Sequence, residues 1–222
     1  AKISVSQSIL NPSETFDVNV DGTKNVLEAC KKNYVKKIII ASSAAVYGEG
    51  SSGMKLIESA KTNPISPYGK SKLKMEQEIE KNNKIDCVIL RFFNIFGIGQ
   101  TPEYAGVITK FIEMISSNKP LEIFGDGMQT RDFVSINDVV ESIYDAIKNG
   151  KNGTYNIASG KAITINELAE FMISLSKKDL EIHHISEKHG DIRYSEADIS
   201  LAKSKIGYVP KLGLNEIKNM LM

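Results

Sequence analysis

Two short runs that are apolar on both faces do most to limit what this chain can fold into. Lys37 to Ser42 reads Lys-Ile-Ile-Ile-Ala-Ser, and Asp86 to Phe92 reads Asp-Cys-Val-Ile-Leu-Arg-Phe. Strands buried on both sides are expected in a parallel sheet covered by helices. Helical patterns lie around these runs. After the start signal Asn11-Pro12-Ser13, the residues Phe16, Val20, Val26, Leu27 and Cys30 keep helical spacing from Ser13 to Asn33. A charged helix is expected from Tyr68 to Lys81. Strands alternating with helices imply an α/β architecture with a parallel sheet.

The second half is less regular. Glu103 to Ser117 reads as a helix, and Leu121 to Phe124 as a short strand stopped by Gly125-Asp126-Gly127. Ile136 to Lys148 reads as a helix and Thr154 to Ile157 as a strand. Thr164 with Glu167 makes a capping box that opens a helix to about Leu175. Leu180 to Ile185 reads as a strand, and two short helices close the chain. The change of pattern near residue 95 predicts two interwoven parts. Residues 1–95 belong to the sheet domain, and 96–222 mainly to a small mixed α/β lobe, with 136–158 returning to the sheet.

Several function classes are set aside by composition. In 222 residues, 28 basic and 27 acidic side chains leave a formal net charge of +1, with no basic stripe for nucleic acid. No apolar run is long enough to span a bilayer; the longest, Cys87 to Phe93, is interrupted by Arg91. Two distant cysteines, Cys30 and Cys87, do not make a disulfide framework and are expected to be reduced in a cytoplasmic protein. His183, His184 and His189 have no partner cluster, so no metal site is expected. The chain starts at Ala1 without a targeting pattern and reads as though entered part-way through a fold.

Gly48-Glu49-Gly50-Ser51-Ser52-Gly53 spells a dinucleotide-binding fingerprint. That motif works only as a direct turn from a strand into a helix whose N-terminus meets the pyrophosphate. Five residues, Ser43 to Tyr47, intervene here, and Pro64 and Pro67 follow too soon for the usual helix. The stretch is expected to be a loop over a site.

A better chemical signal is Tyr68-Gly69-Lys70-Ser71-Lys72. On a helix, Tyr68 and Lys72 share a face, and an ammonium beside a phenol favours the phenolate. A tyrosine so placed can act as a base near neutral pH. Alone, this spacing also fits an exposed helical turn. Two strand ends add weight to it: Ser42-Ser43-Ala44-Ala45-Val46-Tyr47-Gly48 and Leu90-Arg91-Phe92-Phe93-Asn94. Ligands of open α/β sheets bind at the carboxyl ends of the strands.

These segments, with Asn19-Val20-Asp21-Gly22-Thr23, Gly125-Asp126-Gly127 through Arg131-Asp132-Phe133, and Gly190-Asp191 followed by Ala197-Asp198, resemble the NAD-dependent epimerase/dehydratase family of extended short-chain dehydrogenases/reductases. The resemblance is closest to its UDP-glucose/UDP-galactose 4-epimerases, and it covers nearly the whole chain. It implies a partial Rossmann-like sheet whose first strands and glycine-rich turn are absent, NAD as cofactor, a nucleotide-sugar substrate and a homodimer. By the same resemblance, Ser43, Tyr68 and Lys72 are catalytic. Asn19, Ser42 and Phe93, with Tyr68 and Lys72, hold the cofactor. Asn94, Val107, Phe124, Arg131 and Asp191 grip the nucleotide sugar, with Arg131 on the diphosphate. Ion pairing of Arg131 with Asp132 or Asp126, and core packing of Phe93 and Phe124, are the structural alternatives.

Two details bear on the reaction. Dehydratases of this family carry an acidic pair directly after the serine or threonine; Ala44 and Ala45 stand there, which argues against elimination and decarboxylation. The alternatives are another nucleotide-sugar enzyme of the family (a reductase, dehydratase or decarboxylase) or a catalytically silent binding fragment. Many relatives have arginine where Lys188 stands, a fork lysine cannot reproduce. Ser195 aligns with the position facing the sugar C2 substituent, where a small residue would admit N-acetylated UDP-hexosamines. A one-residue slip would put Tyr194 there instead.

Overall fold

The computed structural model describes residues 1–82, 84–100, 106–187 and 190–221. Its main sheet has three parallel strands, β1 (Lys37–Ser43), β2 (Asp86–Phe92) and β6 (Gly153–Ile157), in the order β1-β2-β6. Lys37 pairs with Asp86 and Ser43 with Phe92, while Val88 pairs with Gly153 and Phe92 with Ile157. Val88 and Leu90 on β2 are fully buried, as expected for a central strand covered on both faces. Helix α4 (Pro67–Glu80) crosses between β1 and β2, and α6 (Ile136–Asn149) leads into β6. Leu27, Met75, Ile79, Ile85 and Ile89 form the core on one side of the sheet; Val139, Ala146, Tyr155 and Ile206 contribute to the other.

The stretch read as one helix from Ser13 to Asn33 is a composite. It comprises α2 (Pro12–Phe16), a π turn at Asp17–Asp21 and α3 (Gly22–Lys32). The π turn shifts the register by one residue, and Asn19 within it donates to Ser71 of α4 at 2.9 Å. Ahead of it stands α1 (Val5–Leu10), which the sequence reading did not anticipate: six residues are too few to show a period.

The remaining strands are β3 (Asn94–Phe96), β4 (Leu121–Phe124), β5 (Thr130–Ser135), β7 (Ala162–Thr164) and β8 (Ile182–Ile185). β3 runs parallel to β5 and β5 antiparallel to β7, while β4 pairs in parallel with β8. Helix α5 (Val107–Ser116) is shorter than the Glu103 to Ser117 reading, whose residues 103–105 lie outside those described. Helix α7 (Ile165–Ser176) opens on the expected capping box of Thr164 and Glu167. Phe111, Ile123, Phe133, Leu168 and Met172 form this lobe's own core. Helices α8 (Ser200–Ile206) and α9 (Ile217–Met220) complete the chain.

Asp132 ties the parts together. Its wholly buried carboxylate accepts from Ser159 N and Oγ, Gly160 N and Ala197 N. Burial lifts its carboxyl to about 6 against the pull of those donors.

Candidate active site

The carboxyl ends of β1 and β2 open on one crevice, and the N-terminal turn of α4 forms its wall. Three features place that turn. Pro67 at the first helical position costs no hydrogen bond, and the Ser66 hydroxyl accepts from Gly69 N at 3.0 Å. The hydroxyl of Ser8, the one buried residue of the otherwise exposed α1, accepts from Tyr68 N at 3.0 Å and so satisfies a second unpaired donor. Gly69 permits the close approach: a Cβ there would stand 2.5 Å from the Ala45 carbonyl oxygen. The short 3-10 turn Ala44–Val46 therefore lies directly against the helix.

This packing brings Ser43, Tyr68 and Lys72 together. Ser43 and Tyr68 line the same hollow, and Lys72 Nζ lies 6.0 Å from the Tyr68 ring centroid. Lys72 is 3% exposed and donates to the Ala41 carbonyl at 2.8 Å. Burial lowers its pKa to about 8, with Glu76 opposing. Tyr68 departs from the simple expectation of a lowered pKa. Burial raises it, and the nearby Ser43 side chain only partly offsets the shift. Desolvation acts on both groups and disfavours both charged forms.

Three adjoining hollows surround this junction and share Asn94. One of about 520 Å³ is lined by Ser43, Tyr68, Phe93, Arg131, Asp191 and Ser195, with Val5, Ser6 and Ile9 of α1 opposite. One of about 410 Å³ is lined by Ser42, Ser43, Tyr68, Lys72, Phe93 and Val107. A third, about 450 Å³, is lined by Val107, Phe124, Arg131 and Asp191, with Lys110 and Gln129. Every candidate residue named from the sequence except Asn19 borders one of the three. Asn19 is 1% exposed, and its side chain is committed to the Lys2 backbone and Ser71. It braces the site from behind.

Arg131 pairs with neither aspartate considered from the sequence. Alternation along β5 turns Asp132 into the core, and Arg131 meets Asp191 at 2.5 Å across the crevice. Arg193 instead grips Asp126 with both guanidinium nitrogens, at 2.6 and 2.7 Å. Lys188 lies outside the described residues. Ser195 is buried and borders the large hollow, whereas Tyr194 does not; its carbonyl meets Gly50 N at 3.1 Å. Phe124 is 39% exposed rather than core, and Phe93 is buried against Tyr47 with ring centroids 6.3 Å apart.

The Gly48-x-Gly-x-x-Gly stretch is a loop, as expected, and it is packed shut. A Cβ at Gly50 would stand 2.4 Å from the Tyr194 carbonyl oxygen, and the Glu49 carboxylate accepts from Arg193 N and Tyr194 N. Among the described residues no group of three or more His, Cys, Asp or Glu could hold a metal, and both cysteines are free. Among the described residues no helix is long and apolar enough to cross a membrane. The site residues missing from the sequence reading are those of α1, which carry no motif, and Glu76 with Arg91, which belong to different elements.

Residues 1–158 match the model of the NAD dependent epimerase/dehydratase family. The chain is 39% identical over 221 residues to a putative UDP-glucose 4-epimerase of Methanocaldococcus jannaschii, covering 97% of this chain and 72% of that protein. It superposes with a TM-score of 0.94 on a UDP-glucose 4-epimerase of Thermotoga maritima solved with UDP-glucose, at 33% identity, over 100% of this chain and 73% of the other. A UDP-N-acetylglucosamine 4-epimerase of Methanobrevibacter ruminantium, in complex with UDP-N-acetylmuramic acid, gives a TM-score of 0.90 at 36% identity, over 100% and 72%.

Proposed function

The chain belongs to the NAD dependent epimerase/dehydratase family, and on that premise we propose that it acts as an NAD-dependent UDP-sugar 4-epimerase working through a transient 4-keto sugar. The observation that carries this reading is the junction of Ser43, Tyr68 and Lys72 beside Ala44 and Ala45. Both alanines border the substrate-sized hollow where an eliminating enzyme would need an acid and a base. Methyl groups transfer no protons, which supports C4 epimerisation over elimination.

The nicotinamide end of NAD fits the residues present. An ammonium has three N–H donors, and the Ala41 carbonyl takes one from Lys72. Ribose hydroxyls in the neighbouring hollow would take the others, with Phe93 and Ser42 on its walls. When bound, NAD supplies the hydride exchange at C4. The chain's own side chains manage the proton. Tyr68, as phenolate, removes it from the 4-hydroxyl and later returns it. Ser43, beside Tyr68 on the same hollow, holds the same oxygen and relays the proton. Lys72 stabilises the phenolate while it is charged.

Recognition of the nucleotide sugar falls to Asn94, Val107, Phe124, Arg131 and Asp191. Arg131 suits a diphosphate because its planar fork can make two hydrogen bonds at once. Ser195 borders the sugar-sized hollow and Tyr194 does not, which supports acceptance of N-acetylated UDP-hexosamines beside UDP-glucose and UDP-galactose. The exposed Val18 and Val26 on the π turn and α3 support a homodimer built through these elements and α4; a monomeric mass in light scattering at micromolar concentration would count against it. The activity is tested by incubating the protein as encoded with NAD and UDP-galactose, and following the products by NMR. Equilibration with UDP-glucose is expected. A 4-keto-6-deoxy or decarboxylated product would replace this reading.

A further inference from the structure

The buried face of α4 carries a third ionisable group that the proposed proton transfer does not use. Tyr68, Lys72 and Glu76 follow one another at intervals of four, so they stand on one face of the helix. The end of β1 meets that face residue by residue. Ala41 O accepts from Lys72, Ser42 Oγ donates to Glu76 Oε1 at 2.5 Å, and Ser43 lines the same hollow as Tyr68. Arg91 on β2, in register with Ser42, closes on Glu76 through Nε at 3.0 Å and Nη2 at 2.6 Å. Glu76 is 1% exposed and Arg91 5%.

A buried carboxylate one helical turn from an ammonium would, if unpaired, draw it into a direct ion pair. Here both carboxylate oxygens are engaged. Oε1 takes Ser42 and Arg91 Nε, and Oε2 takes Arg91 Nη2. Lys72 turns to the Ala41 carbonyl and stays near the Tyr68 ring. Glu76 is nonetheless the charge whose field favours the protonated lysine against its burial.

We propose that Glu76 is a positioning residue for Lys72: clamped by Arg91 and Ser42, its carboxylate keeps the buried ammonium charged without capturing it. What Lys72 does in turnover rests on the epimerase reading; the clamp does not. The other charged groups around α4 are differently placed. The Glu58 carbonyl accepts from Arg91 Nη1, and the Glu58 carboxylate accepts from Asn156 N. Arg131 and Asp191, across the crevice, engage each other. Glu14, Asp17, Asp21, Lys24 and Glu28, on the elements packed outside α4, are exposed and screened by solvent.

The test reads the protonation of Lys72 directly. In the purified chain carrying 13C-labelled lysine, the Cε resonance of Lys72, assigned by its loss in Lys72→Arg, is titrated with pH. No cofactor or turnover is needed. Glu76→Gln should move the Lys72 midpoint down by about one pH unit, and Arg91→Gln should move it up. Glu76→Asp, which keeps the charge, should stay near wild type. If Arg91→Gln does not fold, Arg91→Lys keeps the charge but loses the fork, and should give the same direction at smaller size. An unmoved midpoint in Glu76→Gln, or movement of both variants in one direction, overturns the proposal. In turnover, the alkaline limb of kcat/KM should follow the same two directions. Absence of epimerase activity alongside the expected Lys72 shifts would strike the function reading and leave the positioning role standing.

Discussion

The two sides of the crevice are built on different principles. On the sheet side, Ser42, Lys72, Glu76 and Arg91 are all at most 5% exposed and come from β1, α4 and β2, each polar atom committed to a named partner. On the lobe side, Arg131 and Asp191 meet across the opening, Asp126 and Arg193 pair at the surface, and Phe124 is 39% exposed. Proton transfer requires groups held to a fraction of an ångström, and regular elements with buried partners supply that. Recognition of a long nucleotide sugar needs reach and adjustment, which strand ends and connecting segments supply. The chemistry is therefore expected to be sensitive to single atoms on the sheet side, and tolerant of charge loss on the lobe side.

The largest effect should come from one oxygen. Tyr68→Phe keeps the ring but removes the base, and kcat for epimerisation should fall by about 10²–10⁴-fold. Binding of the nucleotide sugar, followed by calorimetry, should change little. Near-full turnover in this variant would remove Tyr68 from the chemistry and dissolve the contrast.

Stability sharpens the contrast further. Arg91→Met leaves Glu76 buried without its partner, which should cost about 3–5 kcal/mol in urea unfolding. Arg193→Gln breaks an exposed pair and should leave the unfolding midpoint where it was. Equal losses in the two variants would mean the lobe side is as tightly coupled as the sheet side.

Lys72 offers a test with a defined sign. Its pKa in the fold is lowered to about 8 from an ordinary 10.5, so the folded state binds this proton less tightly than the unfolded chain. Stability should rise with pH between those values and be flat below 8 on this account. Lys72→Met should therefore stabilise the protein at pH 7 by about 2–3 kcal/mol, and the gain should fade by pH 10.5. A gain that persists undiminished at pH 10.5 would assign it to packing instead of charge.

The smallest effect concerns specificity. Ser195→Tyr should lower kcat/KM for UDP-N-acetylglucosamine relative to UDP-glucose by about 10–100-fold, a steric exclusion of ordinary size. An unchanged ratio would show that Ser195 does not face the C2 substituent.

Legibility in the sequence follows the same division. β2 and β4 match the bounds read from their apolar runs, and the Thr164–Glu167 capping box opens α7 as expected, because each is a local pattern. Rejection of the Gly48–Gly53 stretch also rested on local spacing, and the structure shows a loop packed on Tyr194. The short strands β3, β5 and β7 are held by partners elsewhere in the chain and carry no period of their own. The partner of Arg131 is Asp191, 60 residues away, and nothing near Arg131 in sequence signals it. Glu76 and Arg91 are likewise invisible as a pair. One reads as a helix surface charge and the other as an interruption in an apolar strand, until β2 and α4 are brought together.

Asp132 has a consequence for how the chain reaches this structure. Its carboxylate gathers amides 27, 28 and 65 residues further along. Contacts of that span are penalised by the entropy of closing long loops, and they are stabilising only after the intervening segments are ordered. The β1–β2 pairing spans 49 residues with α4 between, whereas the knot at Asp132 is complete only when the contact to Ala197, 65 residues on, has closed as well. The segment reaching Ala197 also carries Asp191 and Ser195. The sugar-facing wall of the crevice is thus the part of the molecule that closes late in folding, and the amide of Ala197 should be among the last to gain protection in pulse-labelled hydrogen exchange.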